Sequence, residues 1–306
     1  MRSPLPRRDS GRDSRPDSRA DLPRDPRHEL PRDAARLPAL DLLFWDIVDE
    51  GLDHLGETLG SGASSAIDAQ ARLLMAWNEH INLTSLRAPE QVARGHVLDS
   101  LAALPLLRGL VAGRAGRAGR AEQPRPRLLD LGSGAGYPGL PIAVALPAGS
   151  CALVESVRKK AAFLEVVAES ATAAMRGADV PPVQISVLAG RAEDLADEPE
   201  QRDAWDIVLA RAVGSLAEMV ELGLPLLAVG GHLVVWKSDT DGTLAAELAA
   251  AGRVLQATGG SRPRVERADP TGSLGFPDHR LVAIRKHRPT PHRFPRTPAE
   301  RRRAPC

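Results

Sequence analysis

The run RLLDLGSGAGYPGLPIAVALP, residues 127–147, constrains this chain more than any other stretch. It sets a buried-strand pattern, a glycine-rich turn and a helical pattern in immediate succession. Gly132, Gly134 and Gly136 stand at alternate positions, so the backbone can bend sharply there and approach a ligand that side chains would exclude. A strand, turn and helix of this kind belong to an open α/β sheet and suggest a nucleotide-like ligand. Glycine spacing alone does not name that ligand, because Gly134, Gly136 and Gly139 also satisfy the G-x-G-x-x-G of dinucleotide folds.

The acid two residues before the first glycine discriminates. With Asp130 the turn reads D-x-G-x-G-x-G, which resembles motif I of class I S-adenosylmethionine (SAM) methyltransferases, whose loop wraps the methionine part of the cofactor. Downstream, SCALVESVRKKAAFLEVVAES gives an apolar strand ending in Glu155, then a helix with Ala162, Phe163, Val166 and Val167 at helical spacing. Glu155 lies 19 residues beyond Gly136. An acid at the tip of a second strand is where adenosine-binding folds hydrogen-bond ribose hydroxyls, for NAD and SAM alike. The bland reading is an acid favoured by a helix start.

The third strand pattern, VQISVLA, runs into Gly190, Arg191, Ala192, Glu193 and Asp194, where a backbone or carboxylate acceptor could take an adenine amino group. That resembles the methyltransferase adenine loop. The fourth, in DAWDIVLARAVGSL, carries Arg211 at its carboxyl end. Ligands of open α/β sheets bind outside the strand carboxyl ends, so Arg211 should face the crevice; a surface salt bridge is its alternative.

Together WNEHINLTS, GHVLDSL, DLGSGAGYPGLPIA, GRAEDL, WDIVLARAVGSL and the ending RFPRTPAERRRAPC resemble, in order and approximate spacing, the bacterial 16S ribosomal RNA guanine-N7 methyltransferases, also called glucose-inhibited division protein B. The resemblance covers about residues 40–306. It implies an α/β fold of the class I SAM-dependent methyltransferase type, a Rossmann-like seven-stranded sheet with an N-terminal helical cap. It implies SAM held at Gly132, Gly134, Gly136, Tyr137, Glu155, Ala192, Glu193 and Arg211, and methylation of N7 of guanine 527 in 16S rRNA, presented as RNA or as a 30S particle. The chain departs from the family in its long amino-terminal extension, in the GRAGRAGRA insertion, in Gly95 where an arginine is expected, and in Ala299 where the tail usually has glycine.

Charge is segregated along the chain. Residues 1–36 carry net +3, residues 37–284 net −9 and residues 285–306 net +7. An acidic body repels RNA, so binding needs a local basic surface, and Arg293, Arg296, Arg301, Arg302 and Arg303 are its expected source; a merely solubilising tail is the alternative. The first 39 residues lack apolar periodicity and read as disordered. Residues 40–110 read as the helical cap, 111–126 as a flexible Gly/Arg/Ala insertion, 127–287 as the SAM domain and 288–306 as a flexible basic tail. No secretory h-region follows Met1 and no run approaches the roughly 18 apolar residues of a membrane span, so the expectation is a cytoplasmic protein without a membrane partner. Cys151 and Cys306 supply neither a disulfide framework nor a metal cluster, and a monomer without metal is expected.

Within the cap, His96 and Asp99 are spaced i, i+3, which suits a metal or a proton relay but more simply a helix-packing hydrogen bond. Asn78 and Asn82 are secondary candidates for base-reading amides. In the carboxyl half, GGHLVVWKS reads as a fifth strand ending near Lys237, TLAAELAAAGRVLQATGG as a helix and a strand, SRPRVERADPTGSLGFPDH as a substrate-side loop, and HRLVAIRKH as a final strand.

The chemistry follows from what is missing. Exocyclic amine methylation commonly uses an Asn/Asp-Pro-Pro-aromatic turn after the fourth strand, where this chain has ARAVGS, and base C5 chemistry needs a cysteine nucleophile. Guanine N7 bears an in-plane lone pair and no proton, so no general base is expected and Arg211 is read as an orienting group. N7 lies on the groove edge that A-form RNA hides, so the target must be exposed in a loop or an incomplete particle. A small-molecule methyltransferase, an NAD-linked oxidoreductase and a non-catalytic RNA-binding factor on the same fold are the competing classes.

Overall fold

A computed structural model describes residues 30–118, 125–146, 148–176, 178, 183–240 and 242–303. Among them, apolar runs form seven strands: β1 (Arg127–Leu131), β2 (Ser150–Glu155), β3 (Gln184–Ala189), β4 (Trp205–Arg211), β5 (Leu227–Ser238), β6 (Arg264–Arg267) and β7 (His279–Arg285). They make one sheet in the order β3-β2-β1-β4-β5-β7-β6. β1 to β5 are parallel, while β7 runs antiparallel to both β5 and β6. This is the class I methyltransferase order, and it follows from burial. Leu128–Leu131 lie between Cys151–Val154 and Ile207–Ala210, and a central parallel strand covered on both faces is built mainly from apolar residues, with Asp130 the buried exception. Strand order reverses between β1 and β4, which opens a crevice at their carboxyl ends.

Before the sheet, α1 (Leu42–Leu55) starts at Asp41, whose carboxylate accepts from the Phe44 N–H at 2.9 Å, and stops at Gly56 in the left-handed region (φ 65°). α2 (Ser61–Asn78) packs along α7 (Arg158–Ala174), with Trp77 5.4 Å from Phe163 between ring centres. α3 (Pro89–Val92), a π-turn over Ala93–Leu98, α4 (Asp99–Leu101) and α5 (Leu104–Ala118) follow in close succession. One helical stretch, Pro89–Gly113, is long and apolar enough by composition to cross a membrane, but 56% of its apolar window is buried inside the protein. It also carries Asp99, which is ion-paired to the sheet, and so it reads as a packed cap helix. After β1 come α6 (Gly139–Ala145), α8 (Ala192–Leu195), α9 (Leu216–Gly223), α10 (Leu244–Thr258) and α11 (Pro298–Arg303).

Four segments depart from the sequence-based expectation. Residues 31–39 are bound to the body rather than disordered: Trp77 Nε1 donates to the Pro31 carbonyl at 2.7 Å, Ala34 is buried in a short 3-10 turn, and Asp33 caps it. Residues 1–29 lie outside the described residues. The Gly/Arg/Ala insertion continues α5 as far as Ala118, extending a helix already formed from Leu104 through residues of which alanine and arginine are good helix formers; residues 119–124 lie outside the described set. Residues 243–267 depart as one segment: the stretch expected to be a helix and a strand is helix, ending at left-handed Gly259 (φ 89°), and the strand comes later, as RVER in the part read as a loop. Four residues paired on one edge give little periodicity to detect.

The fourth departure matters most for function. Residues 288–303 are a strap, not a flexible tail. Arg202 donates to the carbonyls of Ala196, Thr290, Pro291 and Phe294 at 3.0–3.2 Å, and Phe294 is buried. Thr290 Oγ1 donates to the Thr258 carbonyl at 2.7 Å. Arg296 forks onto buried Glu221, with Nε to Oε1 at 2.8 Å and Nη2 to Oε2 at 2.7 Å. A planar guanidinium matching a carboxylate in this way fixes the strap in register. Residues 304–306, with Cys306, lie outside the described residues.

Candidate functional site

The glycine turn after β1 occupies the crevice. Gly132, Gly134 and Gly136 all have positive φ (70°, 57° and 84°), a conformation that L side chains rarely adopt. Space is also tight at two of them: a Cβ on Gly132 would lie 2.8 Å from Val213 Cγ2 and one on Gly136 2.8 Å from Gln70 Nε2, so a neighbouring side chain would have to move. The turn is held from below by Ser133 N–H to the Val154 carbonyl (2.9 Å) and Ser133 Oγ to the Asp130 carbonyl (2.9 Å). Glu155, buried at the tip of β2, accepts from Gly134 N–H at 3.0 Å through Oε2 and from Val157 N–H at 2.7 Å through Oε1. Each oxygen retains a further lone-pair site.

Asp130 is fully buried. Its Oδ2 accepts from Gly139 N–H at 3.1 Å, and Oδ1 has no partner among the described residues. Burial pushes its carboxyl up to about 6. The Tyr137 hydroxyl and Gln70 Oε1 are likewise buried without a partner among the described residues. Three unsatisfied polar atoms beside one glycine turn are uncommon in a finished core. They fit a polar ligand that offers donors and acceptors, and the narrow turn fits one lying against bare backbone.

Arg211 ends β4 with its side chain mostly buried. Its Nη1 donates to Asp99 Oδ2 at 2.7 Å and to the Gly95 carbonyl at 3.3 Å, and its Nη2 lies 3.1 Å from His96 Nδ1. The guanidinium carbon sits 5.9 Å above the Tyr137 ring, against which His96 stacks at 4.8 Å and 14°. A guanidinium can only donate, so His96 Nδ1 accepts, the Nε2–H tautomer follows, and Nε2 donates to Thr84 Oγ1 at 2.8 Å. Burial and the Arg211 charge lower His96 to about 4, consistent with a neutral ring. Asp99 Oδ1 accepts from His279 Nδ1 at 2.7 Å. Although burial works to raise it, the bonds from His279 and Arg211 hold Asp99 below its usual value, and the Asp99 hydrogen bond raises His279. Trp236 Nε1 donates to the Asp99 carbonyl at 2.9 Å, so the cap is fastened to β4, β5 and β7 at one point.

His96 and Asp99, expected to take part in a helix-packing hydrogen bond, both bond to Arg211. The π-turn between them directs both onto Arg211, and such turns are frequent at functional sites. Asn78 is corrected: buried, it accepts from Leu83 and Thr84 N–H at 3.0 and 3.1 Å and donates to the Leu86 carbonyl, so it holds a turn. Asn82 accepts from Arg87 Nη2 at 3.2 Å. Ala192 opens α8 and Glu193 follows it, two and three residues past Gly190, whose N–H donates to the Glu155 carbonyl at 3.1 Å. Glu193 is ion-paired with Arg301 of the strap. Lys237 pairs with Glu247 at 2.6 Å and donates to the Gly214 carbonyl, steadying the turn after β4 where Ala212 has φ 58°.

Sequence reasoning missed Gln70, His279 and Trp236. Gln70 donates to the Ala135 carbonyl at 3.0 Å and reaches the glycine turn from α2. Its signal is a lone amide among apolar neighbours in IDAQARLLMAW. His279 reaches the crevice because an antiparallel β7 begins at the edge where the parallel strands end. No group of three or more His, Cys, Asp or Glu that could hold a metal ion occurs among the described residues.

Residues 64–269 match the family described as rRNA small subunit methyltransferase G, GidB. A protein of that name from Symbiobacterium thermophilum is 34% identical over 254 residues, 82% of this chain and 93% of the relative. One from Deinococcus radiodurans is 37% identical over 252 residues, 82% and 88% respectively. A crystal structure of Aeropyrum pernix fibrillarin with natively bound S-adenosyl-L-methionine overlays with a TM-score of 0.40 at 17% identity, over 56% of this chain and 73% of that one. With the match covering more than half of its length, this chain belongs to the rRNA small subunit methyltransferase G family.

Proposed function

We propose that this protein transfers the methyl group of SAM to N7 of a guanine in 16S rRNA, at the position that the family resemblance gives as 527, with the RNA or a 30S particle as substrate. The observation that carries the reading is the convergence of the left-handed glycine turn, the unsatisfied Asp130, Glu155 and Arg211 at the carboxyl ends of β1, β2 and β4. Family membership supports the choice of ribosomal RNA.

SAM supplies, when bound, a methyl carbon activated by a sulfonium. Gly132, Gly134 and Gly136 admit it against the backbone, and Glu155 offers acceptors suited to ribose hydroxyls. Ala192 and Glu193 stand where an adenine edge would be read. Arg211, held by Asp99 and the Gly95 carbonyl, stands at the mouth with Tyr137 and orients what enters. Guanine N7 attacks with its lone pair, so no side chain has to remove a proton. The groups nearest to base strength are accordingly engaged: His96 accepts from Arg211, and Asp99 accepts from Arg211 and His279. Cys151 lies inside β2, opposite Leu128, far from a nucleophile's place. Rate then comes from position and from excluding water around the developing charge.

Methyl transfer from labelled SAM to small-subunit particles lacking this modification tests the reading, with the product mapped by borohydride and aniline cleavage. Cleavage at one guanine is expected. Label in another base, or none with SAM binding intact, would overturn it.

A further inference from the structure

Arg301 has no place in the crevice, yet the strap delivers its guanidinium to the residue after Ala192. Nη2 is ion-paired with Glu193 Oε1, and the Glu218 carboxylate lies 3.5 Å away. Nη1 donates to the Arg296 carbonyl at 2.7 Å, and Arg296 is forked onto buried Glu221. A chain of fixed contacts thus runs from the interior at α9, through the strap, to the short turn of α8. The side chain of Arg301 is 12% exposed and that of Glu193 18%, so the pair is shielded enough for its geometry to be set by these bonds rather than by solvent.

α8 needs such a hold. It is four residues long and has no side-chain N-cap, and Arg191 before it is exposed. A single turn of this length is not stable by itself. Leu195 anchors its far end in the core, but the near end, Ala192 and Glu193, is the end expected to meet adenine. We propose that Arg301 is a positioning residue for cofactor binding: through Glu193 it orients the adenine-reading turn, so that SAM affinity depends on a docked carboxyl-terminal strap. The inference rests on the reading of Ala192 and Glu193 given above.

Its consequences differ from those of a general structural contact. A strap that merely stabilises the body would lower the melting temperature and leave ligand discrimination alone. Arg301 acting through Glu193 makes recognition of the 6-amino group of adenine depend on it. Three variants of the full chain are compared, Arg301→Gln, Glu193→Gln and the double variant, by calorimetric titration with S-adenosylhomocysteine and with its inosine counterpart, which lacks that amine. Arg301→Gln is expected to weaken S-adenosylhomocysteine binding by about tenfold and to narrow the preference over the inosine compound, with the double variant no weaker than Glu193→Gln alone. Arg301→Lys, which keeps a cation beside Glu193, should recover most of the loss, and Arg301→Met completes the same cycle if Arg301→Gln does not fold. Glu218→Gln removes the other neighbour of Arg301 and should bind as the wild type does.

Additive losses in the double variant, or unchanged discrimination in Arg301→Gln, would overturn the proposal. If Glu193→Gln by itself leaves affinity and discrimination unchanged, the fault lies in the placement of Glu193 at adenine. If Glu193→Gln is impaired while Arg301→Gln is not, Arg301 alone is excluded.

Discussion

Asp99 should be felt on three strands, because its two carboxylate oxygens serve β4 and β7 and its backbone carbonyl serves β5. In Asp99→Asn the shape is retained and one oxygen can still accept, but the new NH2 must face either an N–H of Arg211 or His279 Nδ1, which takes it only as a neutral ring in the other tautomer, without the charge that the carboxylate favours. Removing one partner of a buried pair costs about 3–5 kcal/mol, and the remaining acceptor puts this change near the lower end, about 3 kcal/mol. The pair qualifies as buried, with side chains 12% and 4% exposed. For a domain of this size the loss corresponds to a fall of roughly 6–12 °C in Tm. The pH dependence is equally specific. Asp99 raises His279 above its ordinary 6.5, so the contribution of that contact is complete below pH 6.5 and fades as pH climbs through the raised value. The gap between wild type and Asp99→Asn should therefore be wider near about pH 6 than near about pH 9. Urea unfolding followed by tryptophan fluorescence measures it at both. A gap under about 1 kcal/mol at either pH, the range of an exposed pair, would show that the cluster is not the buried anchor argued here.

The glycine turn gives a sharper test of the cofactor site. Gly132→Val places a β-branched residue at φ 70° against Val213, and SAM binding by titration should be lost while the far side of the sheet still folds; retained affinity would remove Gly132 from the site. Asp130 predicts a pH step. Its carboxyl lies near 6 by burial, so its neutral form favours the fold at low pH and that contribution is lost as pH rises through 6. A bound cation favours the ionised form, so the Kd for SAM should fall as pH rises through about 6 and the step should vanish in Asp130→Asn; a flat profile in the wild type would mean that no cationic group of SAM binds beside Asp130.

The fold was legible because its determinants are local. Short apolar runs, closely spaced glycines and regular strand-helix alternation are each written within a few residues, and β1 with its turn, β2, β4 and β5 all appear in such runs. What escaped depends on distant partners. RVER makes a strand only because β7 presents an edge to it. His96 and Asp99 have helical spacing that argues for a helix-packing hydrogen bond, and only the π-turn and the position of Arg211 send both to the guanidinium. His279 and Gln70 carry no motif, and each reaches the crevice through topology. The carboxyl segment was read from its charge, which describes a free chain correctly. Glu193, Glu218 and Glu221 lie some 75 to 108 residues earlier, so the neutralising partners were invisible in any local window.

That last correction changes the electrostatics of RNA binding. Five strap arginines were expected to contact RNA, but Arg296 and Arg301 are held by Glu221 and Glu193, whereas Arg293, Arg302 and Arg303 are exposed. A phosphate meeting Arg296 would have to displace a buried bidentate carboxylate, which costs more than an exposed phosphate contact returns. Of those five, the exposed three are then the ones left to release counterions. Each phosphate neutralised contributes about 0.7–0.9 to the slope of log affinity against log salt, so replacing all three by glutamine should reduce that slope by roughly two to three. Deleting residues 288–306 should do the same to the slope but also unfold part of the body, because Glu221 is left buried without its guanidinium fork. The comparison separates the two roles, with RNA binding measured from low to moderate salt and stability by urea. A triple variant with an unchanged slope would mean that this rim does not touch RNA, and a deletion as stable as the wild type would mean that the strap is not held as its contacts require.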